Sequence, residues 1–288
     1  PMFNKRHIVR TIAATASILA LSFTAACGSG QSTASNSTDS DDITQQTYKP
    51  GKLTIATGQP AYEPWVMNDK PEIGEGYEAA VAYAVADKLG FKKSDVVWTR
   101  TAFDTAIAPG AKDWDFNIQQ FGITDERKKA VDFSSSYYND SQSVVVKKDS
   151  KFANATKVSD LKDATVGVMV GTLAYDYAKA NIKDDIQTFN DDAALAQALD
   201  AGQIDALVTS TVECVYMVQS EQVKDAKVLG RLPDSEDKSG MGIVLPKDSK
   251  LTAAVTKAVD DLNADGTIKK LQDKWLAEYT TDLTELKK

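Results

Sequence analysis

Short apolar strands alternate with amphipathic helices along most of this chain, and that alternation restricts it to an α/β fold. Lys52–Thr57 reads as a strand. Tyr77, Val81, Val85 and Leu89 recur every four residues and give one apolar helix face, which Gly90 ends. Val96–Trp98 is a second strand. Phe103 and Asp104 open a short helix that stops at Pro109 and Gly110, and Phe116–Ile118 is a third strand. The parts then recur. Ala164–Val170 is a strand, a helix runs from Leu173 to about Lys179, and Ile186–Phe189 is a short strand. Ala193, Leu195, Ala196 and Leu199 mark a helix, and Ile204–Val208 is a strand. Each half carries Gly-x-x-Asp ahead of its third strand, at Gly110 and Gly202, as two related α/β lobes would. Ser141–Lys148 and Gly240–Pro246 are further strands. Leu251–Leu262 and Ile268–Tyr279 close the chain as helices, with Trp275 on an apolar side.

The N-terminus reads as a secretory leader over residues 1–26. Lys5, Arg6 and Arg10 precede an apolar run, Ile12–Phe23, that is too short for a membrane span. Thr24-Ala25-Ala26-Cys27 has small residues ahead of a cysteine, as a lipidation site does, although Thr24 stands where Leu is usual. The alternative is ordinary secretion with cleavage near Ala26. Residues 27–49 are expected to be a flexible tether, because their polar run cannot bury enough apolar area to fold.

Composition excludes several kinds of chemistry. The only histidine, His7, lies in the leader, so His-based catalysis and histidine metal sites are absent from the rest. No catalytic residue, cofactor or metal is expected. Loss of the leader removes three basic residues and no acid, taking the net charge from −8 to −11, which argues against nucleic acid as a partner. With Cys27 lipidated, Cys214 stands alone in the apolar run Val212–Val218, where a buried structural thiol is the default.

The stretch Asp115–Tyr138 holds the most specific signal. Thr124 suits a helix N-cap, and Asp125 and Glu126 suit the positive end of the helix dipole. Arg127 has the wrong sign for that first turn. Its partner is either a neighbouring carboxylate or an external anion, which a guanidinium can fork.

Gly122-Ile-Thr-Asp-Glu-Arg127-Lys-Lys-Ala-Val-Asp-Phe-Ser134, followed by Tyr137-Tyr138, resembles the signature of the bacterial extracellular solute-binding proteins of polar amino-acid ABC importers. Gly76-Tyr77-Glu78 and Asp265-Gly-Thr-Ile-Lys-Lys-Leu-Gln-Asp-Lys-Trp275 carry the same resemblance, which covers about residues 52–280. It implies a two-lobed periplasmic-binding-protein-like α/β fold of type II with two hinge crossings. The first lobe would comprise residues 50–143 and 238–288, and the second residues 144–237.

The resemblance further implies that Arg127 and the Gly171-Thr172 turn grip a ligand carboxylate from opposite lobes. Tyr62 and Phe103 would form an aromatic sandwich, with Trp65 in the core. Gln119, Gln120 and Gly122 occupy places where relatives have carboxylate donors, and Gln59 is a weaker specificity candidate. Ser210 stands where the family places the Asp that pairs with the ligand's ammonium. Glu213, one turn on, either replaces that charge or, by default, is a solvated helix residue; without such a replacement the alternative is a ligand that lacks a free ammonium. The expected partners are an amino acid or similar small carboxylate, an ABC permease and the membrane through the anchor, with the protein a monomer. An enzyme on the same fold is the other class, with Glu63 and Glu213 as its only acid/base candidates. A ligand-sensing domain is a third.

Overall fold

The computed structural model describes residues 41–280 and 283–288; the leader and Cys27 lie outside them. The chain runs β1 (Leu53–Thr57), α1 (Tyr77–Lys88), β2 (Val96–Arg100), α2 (Phe103–Ile107), β3 (Phe116–Asn117), α3 (Asp125–Lys128) and β4 (Val131–Tyr138). It then crosses to β5 (Gln142–Lys147), β6 (Val166–Met169), α4 (Leu173–Asn181), β7 (Ile186–Phe189), α5 (Asp192–Asp200), β8 (Ala206–Ser210), α6 (Thr211–Gln219) and β9 (Ala226–Arg231). It returns through β10 (Met241–Pro246) to α7 (Thr252–Ala264) and α8 (Thr267–Trp275).

Two five-stranded sheets result, ordered β2-β1-β3-β10-β4 and β7-β6-β8-β5-β9. In each, three parallel strands stand beside one antiparallel strand, β10 or β5, which is the strand that has just crossed from the other lobe. The two halves therefore share one topology, as the repeated Gly-x-x-Asp pattern suggests. In the second lobe Val144, Val146, Val166, Val168 and Val208 face one core, while Val145, Leu207 and Cys214 face another with Leu195 and Leu199. That is the period of two of a sheet covered on both faces. The first lobe packs Leu53, Ile55, Trp65, Tyr77, Phe116, Ile243 and Val259 together.

The structure adds two strands that pattern reading misses, β4 and β9. Along β4 the buried positions do not alternate, because its pairing with β10 shifts register twice. Two boundaries also move. The tether does not extend to residue 49: a 3-10 helix, Ile43–Gln45, is capped by Asp42, Thr47 is buried, and the Tyr48 N–H donates to Asp115 Oδ1 at 2.6 Å. The same carboxylate accepts the Thr54 N–H, so Asp115 ties the incoming chain to the edge of β1. The first lobe does not hold the chain to residue 288. Residues 283–288 lie on the second lobe, where Arg231 N–H donates to Thr284 O at 2.9 Å and Leu286 N–H to Arg231 O at 2.8 Å. Among the described residues no helix is long and apolar enough to cross a membrane.

Candidate ligand-binding cleft

In both sheets the parallel strands deliver their C-terminal ends to one cleft between the lobes, where α/β folds characteristically bind ligands. Its volume is about 820 Å³ including the open mouth. Of the residues expected at the site, Tyr62, Phe103, Gln119, Gln120, Gly122, Arg127, Thr172, Ser210 and Glu213 all line it. Gln59 is exposed and does not line it. The loop turns at Pro60, and the residues that face inward are Thr57, Gly58, Pro60, Ala61 and Tyr62.

Arg127 pairs with neither Asp125 nor Glu126, which engage Lys128 and Lys129. Thr124 caps the short α3 by accepting the Arg127 N–H. The guanidinium then turns inward and donates to Gly122 O and to Gly171 O, each at 2.8 Å. The second bond crosses from the first lobe to the second. The Phe103 ring backs the guanidinium at 5.5 Å and stacks on Phe121 at 4.6 Å on centroids. Burial lowers the guanidinium's pKa, and Asp176 and Asp237 oppose that shift.

Across the cleft, Thr172 caps α4: its hydroxyl donates to Met169 O and accepts the Tyr175 N–H. That occupies the hydroxyl and leaves the backbone N–H groups of the first turn as the donors facing the cleft. Gly171 itself is exposed and contributes its carbonyl. Further bonds join the lobes. Ala193 N–H donates to the Tyr62 hydroxyl at 3.3 Å, Trp65 Nε1 to Glu213 Oε2 at 3.2 Å, and the Tyr216 hydroxyl to Glu63 Oε2 at 2.9 Å. The lobes are therefore shut.

Three sequence readings change here. Gln120 lines the cleft, but its amide donates to the buried Glu78, which also accepts the Gln120 N–H at 2.7 Å. Glu63 accepts Asn68 N–H and Tyr216 O–H outside the cleft, so it makes no acid/base pair there with Glu213. Glu213 is not a solvated helix residue. It is 3% exposed, because the first turn of α6 packs against the first lobe, where Val212 joins that lobe's core. Ser210 accepts the Glu213 N–H and hydrogen-bonds Asp140, bringing no charge of its own.

The structure also brings in Asp140, Gln142, Asp192, Leu173, Thr209 and Asp237. Asp192 had a legible signal, since it follows a parallel strand of the second half and opens a helix capped by Asp191. Asp140 sits in the hinge and Asp237 between β9 and β10, where sequence patterning says nothing of side-chain direction.

The chain is 29% identical to the L-arginine-binding protein of Pseudomonas aeruginosa over 80% of its own length and 88% of that protein's. It is 31% identical to the L-cystine-binding protein TcyJ of Escherichia coli K12, covering 72% of this chain and 76% of the relative. A solved ancestral arginine-binding protein bound to arginine superposes with a TM-score of 0.67 at 30% identity, covering 78% of this chain and 98% of that one. With residues 53–278 matching the family as a whole, the chain belongs to the bacterial extracellular solute-binding proteins, family 3.

Proposed function

We propose that this chain captures an amino acid outside the cytoplasm and hands it to an ABC permease, as a monomer anchored by lipid on Cys27. The ligand's carboxylate would sit between the Arg127 guanidinium and the first turn of α4. Tyr62 and Phe103 would cover its side chain, and Gln119 would add polar contacts. The observation that carries this reading is the bond from Arg127 to Gly171 O, which brings a cation of one lobe against the helix N-terminus of the other. A carboxylate there bonds both lobes only when the cleft is shut, and that difference in affinity drives closure. Binding rather than turnover is favoured because the relatives that this chain matches over most of its length are binding proteins.

A thermal-shift screen with L-arginine, L-lysine, L-histidine, L-glutamine and L-cystine tests the class. Arg127→Ala is expected to cost about 2–5 kcal/mol of affinity by calorimetry, as for loss of a buried charge contact. Unchanged affinity in that variant would sink the carboxylate clamp. Cys27→Ser is expected to move the protein from the membrane fraction to the soluble one.

A further inference from the structure

We propose that Glu213 and Asp192 form the ammonium site of the cleft and hold one proton between them until a ligand's ammonium displaces it. This rests on the amino-acid reading above and names the groups that take the other end of the ligand.

Glu213 is enclosed, lines the cleft, and has Oε2 bound by Trp65 Nε1, yet its Oε1 has no hydrogen-bond partner within the described residues. A buried carboxylate oxygen with no donor is costly, and an ammonium N–H arriving there removes the cost. Asp192 lines the same cleft from the start of α5 and, among the described residues, its carboxylate receives only a long bond from the Thr209 hydroxyl, at 3.4 Å. Ser210 is neutral, so the charge has moved one turn along α6 to Glu213.

The surroundings fix the protonation. Burial first, and the Asp192 charge second, push the Glu213 carboxyl well above its usual range. Burial holds Asp192 at about 6. The other titratable groups facing the pair are Asp191, Asp140, Glu78, Tyr62, Tyr216 and Cys214, none of them a cation. Among the described residues lining the cleft, Arg127 is the sole cation, and it is engaged with Gly122 and Gly171.

Two carboxylates that line one cleft, Glu213 enclosed and Asp192 half-buried, with no free cation among the described lining residues cannot both ionise cheaply, so the ligand-free pair keeps a proton. An ammonium favours the ionised form of both and lowers their joint affinity for that proton, which leaves to solvent. Affinity for an amino acid therefore rises as pH climbs through the window above the ordinary carboxylate range, then levels off.

Val212 lies in the first lobe's core with Trp65, so the first turn of α6 stays beside that ring when the cleft opens; the Trp65 indole N–H therefore reports Glu213, and its NMR signal is identified by its loss in Trp65→Phe. In ligand-free protein it is expected to shift with an inflection above the ordinary Glu value of about 4.3. In Asp192→Asn the inflection moves down toward that value. A signal that stays flat between about pH 5 and about pH 8 overturns the proposal. Calorimetry at about pH 6 in buffers of differing ionisation enthalpy should give release of about one proton for each amino acid of the five-member panel that binds. In Glu213→Gln the release should vanish and affinity fall by at least about tenfold. Binding without proton release also overturns the proposal. The indole titration needs no ligand, so it decides the pair even if none of the five amino acids binds, which is the outcome that sinks the preceding reading.

Discussion

Residue by residue, the cleft shows that the type of a side chain was legible and its direction was not. Arg127 announced itself by carrying the wrong sign for its place in a helix, and the structure gives it an inward role. Gln120 and Glu213 look alike in the sequence, as polar residues near strand ends. One turns back to satisfy Glu78 and the other is sealed against the opposite lobe. Nothing local separates them, because the deciding contacts come from α1 and from the loop after β1. Glu78 has a consequence of its own. It accepts from the Tyr137 hydroxyl, the Gln120 N–H and the Gln120 amide, yet burial outweighs these donors and raises its pKa from 4.5 to about 7. Between those values the folded protein holds a proton that the unfolded chain has lost, so this group's contribution to stability falls as pH rises. Glu78→Gln, with the Gln120 amide flipped, should remove that slope. Denaturant unfolding is expected to show the variant gaining up to about 3 kcal/mol on the wild type between about pH 5 and about pH 8. A constant difference across that range would mean that Glu78 stays ionised in the fold.

At the scale of elements, the repeated strand–helix–strand pattern was readable, because three parallel strands per lobe are short and apolar and are bounded by Gly or Asp. The strands that complete each sheet were harder. β4 lacks alternation, and β9, reading Ala-Lys-Val-Leu-Gly-Arg, is mostly half-buried. Least legible was the final segment, which leaves α8 in the first lobe and ends on the second. Leu286 enters the core beside Val158 and Leu161 at 4% exposed, while Val158 N–H donates to Lys287 O at 2.8 Å and Lys287 N–H to Thr156 O at 2.9 Å. Gly230 makes room for it, since a Cβ there would lie 2.6 Å from Thr284 O. One buried leucine contributes about 1.5–3 kcal/mol. A chain truncated after Thr280 should lose about that much stability, and hydrogen exchange should quicken in β9 and around Val158 while α1 and α7 stay protected. Equal loosening of both lobes would mean that the tail acts through the hinge rather than through the second lobe's core.

For the whole molecule, the crossing strands β5 and β10 join the two matched sheets, and Gly122 sits where the shut lobes meet. It lies in the first lobe, yet a Cβ on it would come within 2.5 Å of Leu173 Cδ1 and 2.9 Å of Asp237 Oδ2. Leu173 belongs to the first turn of α4, the turn proposed to hold the carboxylate, so the absent side chain is what lets that turn approach Arg127. Gly122→Ala should therefore leave each lobe folded but penalise the shut form, by about 1–3 kcal/mol if it behaves like other overpacked contacts. A ligand that bonds both lobes needs that form, so its apparent affinity drops with the shut population, roughly 5- to 150-fold. Trimming the obstacle with Leu173→Ala in the same chain should restore part of the loss, because Leu173 Cδ1 is the nearer of the two contacts. The decisive measurement is small-angle scattering with and without saturating amino acid, alongside calorimetry of the single and double variants. If Gly122→Ala binds as tightly as the wild type and contracts as fully, the lobes do not meet at Gly122 in the bound state, and closure onto Arg127 is not what secures the ligand.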